Sequence, residues 1–279
     1  MSRVIDFRVR PPYGGYKAFF RYITRPFIER YGFEFGGSLE TQSLDDLVAE
    51  LRAAHVEKAV IQGRHATSLY VDNQDLFDVS AAYPDLFVPY PYIDVLDDDA
   101  VDQIERLIVS GPGQGASLEP GLVSPHAEAF DFDDPRAYPA YEALEAHHIP
   151  LLLTESGGFY KQLFNDRAPR QIDHVANDFP DLVIVVAHGA WPSVLDAISV
   201  ASRRRNVYLA PDIYATTGAG AEDYQRAART ILRDKVIFES SYPILPIEQS
   251  IDFVRTEWHL DDETLDKVLY ANAARVLGL

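Results

Sequence analysis

Two arginines one residue apart carry the most distinctive chemistry of this chain. Arg8 and Arg10 stand in the segment Ile5-Asp6-Phe7-Arg8-Val9-Arg10-Pro11, where a short apolar strand would end. Residues i and i+2 of a strand point to the same side, so both guanidinium groups would face the same space. A guanidinium has no lone pair with which to bind a metal cation, but it binds a carboxylate or phosphate through paired hydrogen bonds. The spacing therefore predicts a site for a small anionic molecule.

The elements that position these arginines follow a strand–helix alternation. Eight short apolar runs are separated by helical patterns, which indicates a parallel sheet of the α/β class. Eight strands favour a closed (β/α)8 TIM barrel, in one domain over residues 1–279. A doubly wound open sheet is the alternative, but it normally has a glycine-rich turn after its first strand, and none follows Arg10. The predicted strands are residues 4–7, 58–62, 87–93, 116–118, 150–154, 183–187, 207–210 and 236–238.

A long segment after the first strand departs from this alternation. Residues 11–37 are rich in tyrosine and phenylalanine and also contain several glycines and basic residues. An insertion at this place in a barrel lies on the face where active sites form. It is therefore predicted to be a lid over the site or an interface in a homo-oligomer. A hydrophobic cover without a role in chemistry is equally compatible with the sequence.

Composition excludes several classes of function. The chain has 279 residues and no cysteine, so it forms no disulfides and uses no thiolate. Its net charge of −18 argues against nucleic-acid partners. No apolar stretch has the length of a membrane span, and the N-terminus does not have the pattern of a signal peptide. A cytoplasmic location without membrane partners is the expectation.

Several local phrases, spread over the whole chain in one order, resemble the amidohydrolase-related family. This branch of the amidohydrolase superfamily includes decarboxylases and a pyrone-dicarboxylate lactonase. The resemblance implies a (β/α)8 barrel whose site lies at the carboxyl ends of the strands. The phrases are Val4-Ile5-Asp6-Phe7, Ile149-Pro150-Leu151-Leu152-Leu153, Val185-Val186-Ala187-His188-Gly189-Ala190, Val236-Ile237-Phe238-Glu239-Ser240-Ser241-Tyr242-Pro243 and Lys267-Val268-Leu269-Tyr270-Ala271-Asn272-Ala273-Ala274-Arg275-Val276-Leu277-Gly278.

The family's metal-binding positions are mostly altered in this chain. Its paired first-strand histidines correspond to Arg8 and Arg10, and its fifth-strand histidine corresponds to Thr154. The sixth-strand histidine is retained as His188, whereas the eighth-strand aspartate corresponds to Ser241. A divalent ion needs three or four protein ligands, so one retained position is not sufficient. We therefore predict that the protein binds no catalytic metal and uses no cofactor.

Without a metal, His188 would be free to act as a general base or acid near neutral pH. Glu119, Glu155 and Glu239 each follow a predicted strand, so we assign them with His188 to the predicted catalytic group. Each of these carboxylates has a structural alternative, which is to neutralise an arginine in a salt bridge. The residues predicted to bind substrate are Arg8, Arg10, Arg64, Tyr92, Thr154, Asp212 and Ser241.

Three functions fit this set of residues. The first is a metal-independent hydrolase of a small carboxylated lactone or related activated carbonyl, in which arginines stabilise the oxyanion and His188 activates water. The second is decarboxylation of a small aromatic acid, which the family resemblance implies. The third is a barrel without catalytic activity that binds a small acid or another subunit.

Overall fold

The computed structural model of the chain describes residues 3–65, 70–120, 130–156 and 165–279. Within these residues the strands and helices alternate as the sequence predicts. The strands are β1 (Val4–Asp6), β2 (Val56–Gln62), β3 (Arg64–His65), β4 (Tyr70–Val71), β5 (Phe87–Tyr90), β6 (Ala116–Leu118), β7 (Leu151–Thr154), β8 (Ile184–Ala187) and β9 (Val207–Ala210).

Two parallel sheets carry the fold. Strands β1, β2 and β5 form one sheet and β6, β7, β8 and β9 form the other, in that order. A parallel bridge between Tyr92 and Ser117 connects the two sheets at one seam. At the other seam, Val236 pairs with Leu209 of β9, and Phe238 accepts a hydrogen bond from the backbone of Phe7 at 3.1 Å. The α/β fold of the TIM-barrel type is confirmed.

The predicted strand at residues 236–238 is wrong as a regular strand. This segment makes single backbone bonds to neighbours on both sides, but it continues directly into the turn around Ser241, which has a left-handed backbone. A residue with positive φ does not fit a strand, and the pairing continues beyond Ser241 only as an isolated bridge between Tyr242 and Val9. The short antiparallel hairpin of β3 and β4 was not predicted, because each of its strands has only two residues.

The helices follow ordinary terminal signals. The side chains of Ser43 and Asp72 accept hydrogen bonds from the backbone N–H groups of Asp46 and Gln74, and so cap two helices that begin at Leu44 and Asn73. The helices are α1 (Lys17–Phe20), α2 (Arg25–Arg30), α3 (Ser38–Thr41), α4 (Leu44–Ala53), α5 (Asn73–Ala82), α6 (Ala100–Ile104), α7 (Tyr138–Ala146), α8 (Ala168–Asp178), α9 (Val194–Arg203), α10 (Ala221–Arg229), α11 (Ile247–Glu257), α12 (Asp262–Asp266) and α13 (Asn272–Leu277). No helix in the described part of the chain is both long and apolar enough to span a membrane.

The buried apolar residues form two clusters that separate the faces of the strands. One cluster includes Ile5 and Phe7, together with residues of the other strands and of α13. The larger cluster includes Val4 and Val9 and fills the layer between strands and helices. The strands are therefore packed on both faces, and their carboxyl ends are held rigidly where the polar residues begin.

Candidate active site

Arg8 lies at the centre of a buried polar cluster, just beyond the end of β1. Only 1% of its surface is exposed. Its Nη2 donates to Thr154 Oγ1 at 3.0 Å and lies 3.5 Å from Glu119 Oε1, while its Nη1 lies 4.0 Å from Glu239 Oε1. Glu119 also pairs with Arg64, whose Nε is 2.7 Å from Glu119 Oε2. The carboxylate of Glu119 therefore forms ion pairs with two arginines.

Arg10 has a different environment. It is 2% exposed, and its Nη1 donates to the backbone carbonyl of Ser241 at 2.8 Å. Among the described residues it makes no ion pair. Burial, followed by the charges of Arg8 and Arg64, lowers the pKa of Arg10 to about 9. This guanidinium therefore remains a cation at neutral pH, with less countercharge around it than Arg8 or Arg64 has.

The aromatic insertion covers the arginines. Phe19 of α1 packs against two guanidinium groups, with its ring centroid 4.9 Å from Cζ of Arg10 and 5.2 Å from Cζ of Arg64. The hydroxyl of Tyr16 donates to the backbone carbonyl of Gln62 at 2.5 Å, which ties the insertion to the end of β2. In this structure the insertion forms a roof over the site.

His188, directly after β8, is the centre of a hydrogen-bond network. Its Nδ1 is 2.6 Å from Asp212 Oδ2, and its Nε2 is 2.9 Å from Arg8 Nη1. Ser241 Oγ donates to the same oxygen of Asp212. Burial, partly offset by Asp212, lowers the pKa of His188 to about 4, so the ring is neutral at neutral pH. Asp212 and Ser241 hold this ring, and neither was predicted to do so.

These three side chains share an unusual backbone. His188, Asp212 and Ser241 have φ values of +63°, +40° and +51°. The two residues after His188 are also left-handed, and at Gly189 an added Cβ would lie 2.9 Å from the ring of Tyr224. Left-handed backbone outside glycine costs free energy and concentrates at functional sites. The backbone of the turns that follow the strands is therefore strained at the residues that form the hydrogen-bond network around His188.

Three further acids of the site are buried. Glu239 Oε1 accepts the backbone N–H of His188 at 3.2 Å, and burial, then the charge of Asp212, raise the pKa of Glu239 well above its ordinary value. Asp6 accepts the backbone N–H groups of Arg8 and Ser240, and its burial raises its pKa to about 6. Both acids therefore act first as acceptors that fix the backbone of the site.

Glu155, directly after β7, is the third of these acids. Its side chain makes no ion pair or hydrogen bond with the described residues. Burial, then the charge of Glu119, raise its pKa to about 8, so it holds a proton at neutral pH. Glu119 pairs with two arginines and Glu239 accepts the backbone N–H of His188, whereas the side chain of Glu155 has neither kind of contact with the described residues.

The remaining predicted residues line the edge of the cluster. Thr154 bridges Arg8 and the side chain of Gln62, which is 3.5 Å from its hydroxyl. Tyr92 packs on His65 at a centroid distance of 4.8 Å, and burial, then the charges of Glu119 and Asp94, raise its pKa. Tyr92 lies beside the arginine cluster, where its role as a substrate contact stays a prediction.

An aromatic wall borders His188. Trp191 and Tyr214 are stacked with centroids 4.8 Å apart, and Tyr214 meets the ring of His188 edge to face at 5.6 Å. Tyr214, Phe19 and Asp6 were not predicted as site residues from the sequence. The alternation Asp6–Arg8–Arg10 was a usable signal for Asp6, because these positions repeat with a period of two. No local signal pointed to Phe19.

The cluster does not fit the metal that the family resemblance implies. His188, Asp212 and Glu239 do present ligand atoms within 4.8 Å of one another in the described part of the chain. However, the guanidinium of Arg8 is hydrogen-bonded to His188 Nε2 and faces Glu239 Oε1. A metal ion would need both of these atoms as ligands. The other ring nitrogen is bonded to Asp212, whose Oδ2 also accepts from Ser241. A fixed cation beside these ligands repels a second one.

Comparison with known proteins agrees with this fold. Residues 23–279 match the family model described as Amidohydrolase. The chain belongs to that family, as the sequence resemblance indicated. An uncharacterized TIM-barrel protein from Bordetella bronchiseptica is 34% identical, with a TM-score of 0.88 over 99% of this chain and 98% of that one. No curated protein matches the chain.

More distant solved structures share the fold at low identity. A 2,6-dihydroxybenzoate decarboxylase from Rhizobium has a TM-score of 0.68 and 14% identity, over 88% of this chain and 93% of that one. A probable 2-pyrone-4,6-dicarboxylic acid hydrolase from Acinetobacter baumannii, with citric acid bound, has a TM-score of 0.61 and 14% identity. It covers 88% of this chain and 90% of its own. Enzymes of several reaction types therefore use this barrel.

Proposed function

We propose that this protein is a metal-independent hydrolase of a small carboxylated lactone or related activated carbonyl. The observation that carries the proposal is Arg10, a buried cation without an ion-pair partner among the described residues, beside two further buried arginines. A buried cation is stable only when a negative or strongly polar group faces it. A carboxylate of the substrate supplies that charge, and the arginines would also stabilise an oxyanion at the reacting carbonyl.

The proton transfers are assigned to two groups on the opposite side of the cluster. Water adds its oxygen to the carbonyl carbon and gives one proton to His188 Nε2. The bond from the acyl carbon to the ring oxygen breaks, and Glu155 protonates that oxygen as it leaves. The proton on His188 then returns through solvent to Glu155. The products are an acid and an alcohol or enol, so one water is consumed and no other reactant is needed.

The remaining acids have structural roles in this scheme. Glu119 neutralises Arg8 and Arg64, Asp212 orients the ring of His188, and Glu239 fixes its backbone. Removing such a residue would disturb the positions of the reacting groups without removing a proton donor or acceptor. A cytoplasmic location and a homo-oligomer formed through the insertion both stay predictions.

The test is hydrolysis of 2-pyrone-4,6-dicarboxylate, the lactone in the name of one distant structural relative, by chelator-treated protein. We expect ring opening to be unaffected by the chelator. An uncharged pyrone of the same ring, as the matched control, should react at least about tenfold more slowly because it lacks the carboxylates. Activity that requires added zinc or manganese would contradict metal independence.

Two other outcomes would replace the proposal. Release of carbon dioxide from dihydroxybenzoates, without opening of any lactone, would favour the decarboxylase. Thermal stabilisation by carboxylic acids, with no turnover of any of these compounds, would favour a binding protein.

A further inference from the structure

We propose that Arg8 masks His188, so that an anion bound at the arginine cluster activates the hydrolase by drawing Arg8 away from the ring. The inference rests on the proposed function and adds its regulation. In the structure, Arg8 Nη1 lies 2.9 Å from His188 Nε2, the nitrogen that has to accept a proton from water. A lone pair that accepts from arginine is not available to a water molecule.

The chemistry of the two side chains fixes the direction of this hydrogen bond. A guanidinium contains only donors, so Nε2 must accept. The proton of the neutral ring is then on Nδ1, which donates to Asp212 Oδ2 at 2.6 Å. The ring is therefore already in the correct protonation state for a base, and Arg8 occupies the lone pair of Nε2 that would accept a proton from water.

The other contacts of Arg8 leave it free to change partners. Its Nη2 bonds the neutral hydroxyl of Thr154 at 3.0 Å and approaches Glu119 at only 3.5 Å. Its buried Nε has no hydrogen-bond partner among the described residues. In the part of the chain that the structure describes, no carboxylate therefore holds this guanidinium in a two-point contact.

An anion in the cluster is a stronger acceptor than the imidazole. The bond from Arg8 to the imidazole has charge on the donor only. A bond from Arg8 to an anion adds the Coulomb attraction between two opposite charges. Arg64 shares Glu119 with Arg8, and Arg64 and Arg10 both pack against the ring of Phe19, so an anion in the cluster faces three cations. Asp212 keeps the ring in place while Arg8 turns to the anion. Binding of the anion and exposure of the base are thereby a single event.

The test uses an ester that carries no anion, p-nitrophenyl acetate, with malonate added separately. Malonate at constant ionic strength should raise kcat/KM of the wild-type protein about tenfold, the equivalent of one hydrogen bond to a charged group. In Arg8→Gln the reaction should already be fast without malonate and should not respond to it. Arg136→Met, which removes an exposed arginine away from the site, should respond as the wild type does.

Two results would overturn the inference. One is wild-type hydrolysis that malonate leaves unchanged or inhibits. The other is activation by malonate that persists in Arg8→Gln.

A second measurement needs no folded variant at residue 8. In protein labelled with 15N-histidine, and with His188 assigned by its loss in His188→Gln, malonate should move the Nε2 signal toward that of an acceptor without a hydrogen bond. An unchanged signal would contradict the inference. If no ester or lactone is hydrolysed at all, the proposed function fails, and the nitrogen signal still decides whether an anion separates Arg8 from His188.

Discussion

The two halves of the barrel contribute different chemistry to one cluster. The β1–β2 side supplies Arg8, Arg10 and Arg64, whose positive charges are permanent. The β7–β8 side supplies Glu155 and His188, whose pKa values burial shifts to about 8 and about 4, so both are neutral at neutral pH. A catalytic metal combines electrostatic stabilisation with activation of water. The proposed mechanism assigns these two tasks to opposite sides of the barrel.

Removing the proposed base, His188, is expected to have the largest effect on activity. His188→Gln should reduce kcat by about 1,000-fold, because general base catalysis contributes roughly 100- to 10,000-fold. Binding of a carboxylated ligand should change little, since the arginines remain. Steady-state kinetics and calorimetric titration with a carboxylated lactone measure the two effects separately. His147→Gln, which changes an exposed histidine, is the control. Full turnover in His188→Gln would dispose of the assigned role.

Removing the proposed proton donor, Glu155, also tests the β7–β8 side of the barrel. Glu155→Gln should reduce kcat by about 100-fold. In the wild type, kcat should fall as pH rises through about 8, where Glu155 loses its proton. This fall should be absent in the variant. A wild-type profile that stays flat from pH 7 to 9 would contradict the assignment.

The same substitution has a predicted effect on stability. The folded pKa of Glu155 is raised from 4.5 to about 8, so the folded state binds the proton more tightly than the unfolded state does. Its contribution is fully present below the unfolded value and is lost as pH rises to about 8. Glu155→Gln should therefore gain stability relative to wild type over this interval, reaching on the order of 2 to 4 kcal/mol. Urea unfolding at pH 4, 6 and 8.5 measures the gain, and a gain independent of pH would contradict this cause.

The opposite side is tested by Arg10→Met. Loss of charged hydrogen bonds to the substrate should raise KM about 30-fold, with a smaller effect on kcat. The result would show that the cationic side binds while the other side transfers protons. Arg136→Met is again the matched control, because that arginine is exposed. Unchanged KM in Arg10→Met would mean that the substrate anion lies elsewhere.

The smallest expected effect is that of Phe19, the ring of the aromatic insertion that covers the arginines. Phe19→Ala should raise KM by a factor of about 3 to 10, because the ring gives up contacts with two arginines worth roughly 0.5 to 1 kcal/mol each. Phe27→Ala removes a ring of the same insertion that faces Arg30 rather than the arginines of the site, so it should leave KM unchanged. Size-exclusion chromatography of both variants tests the interface role. A change of subunit number only in Phe27→Ala would assign lid and interface to different parts of the insertion.

The sequence was sufficient for the fold class because apolar runs that alternate with helical patterns indicate a parallel sheet covered by helices, although the run at residues 236–238 forms no regular strand. It was sufficient for the arginines because their residue type excludes metal binding, and both are buried at the end of β1. It could not show that Asp212, rather than one of the three glutamates, holds His188, since that pairing joins residues 24 positions apart through two left-handed turns. Nor could it distinguish Glu155 from Glu119 and Glu239. The three differ in which cations and donors face them, and only tertiary packing determines this.

The left-handed backbone at His188, Asp212 and Ser241 bears on whether this barrel has lost activity. Each such residue costs on the order of 1 to 3 kcal/mol, and glycine would adopt the same conformation without that cost. A scaffold that had only to stay folded would avoid this backbone cost by having glycine at these three positions. The present sequence accepts the cost at all three, and what it retains is a neutral imidazole held by Asp212, whose carboxylate also accepts from Ser241.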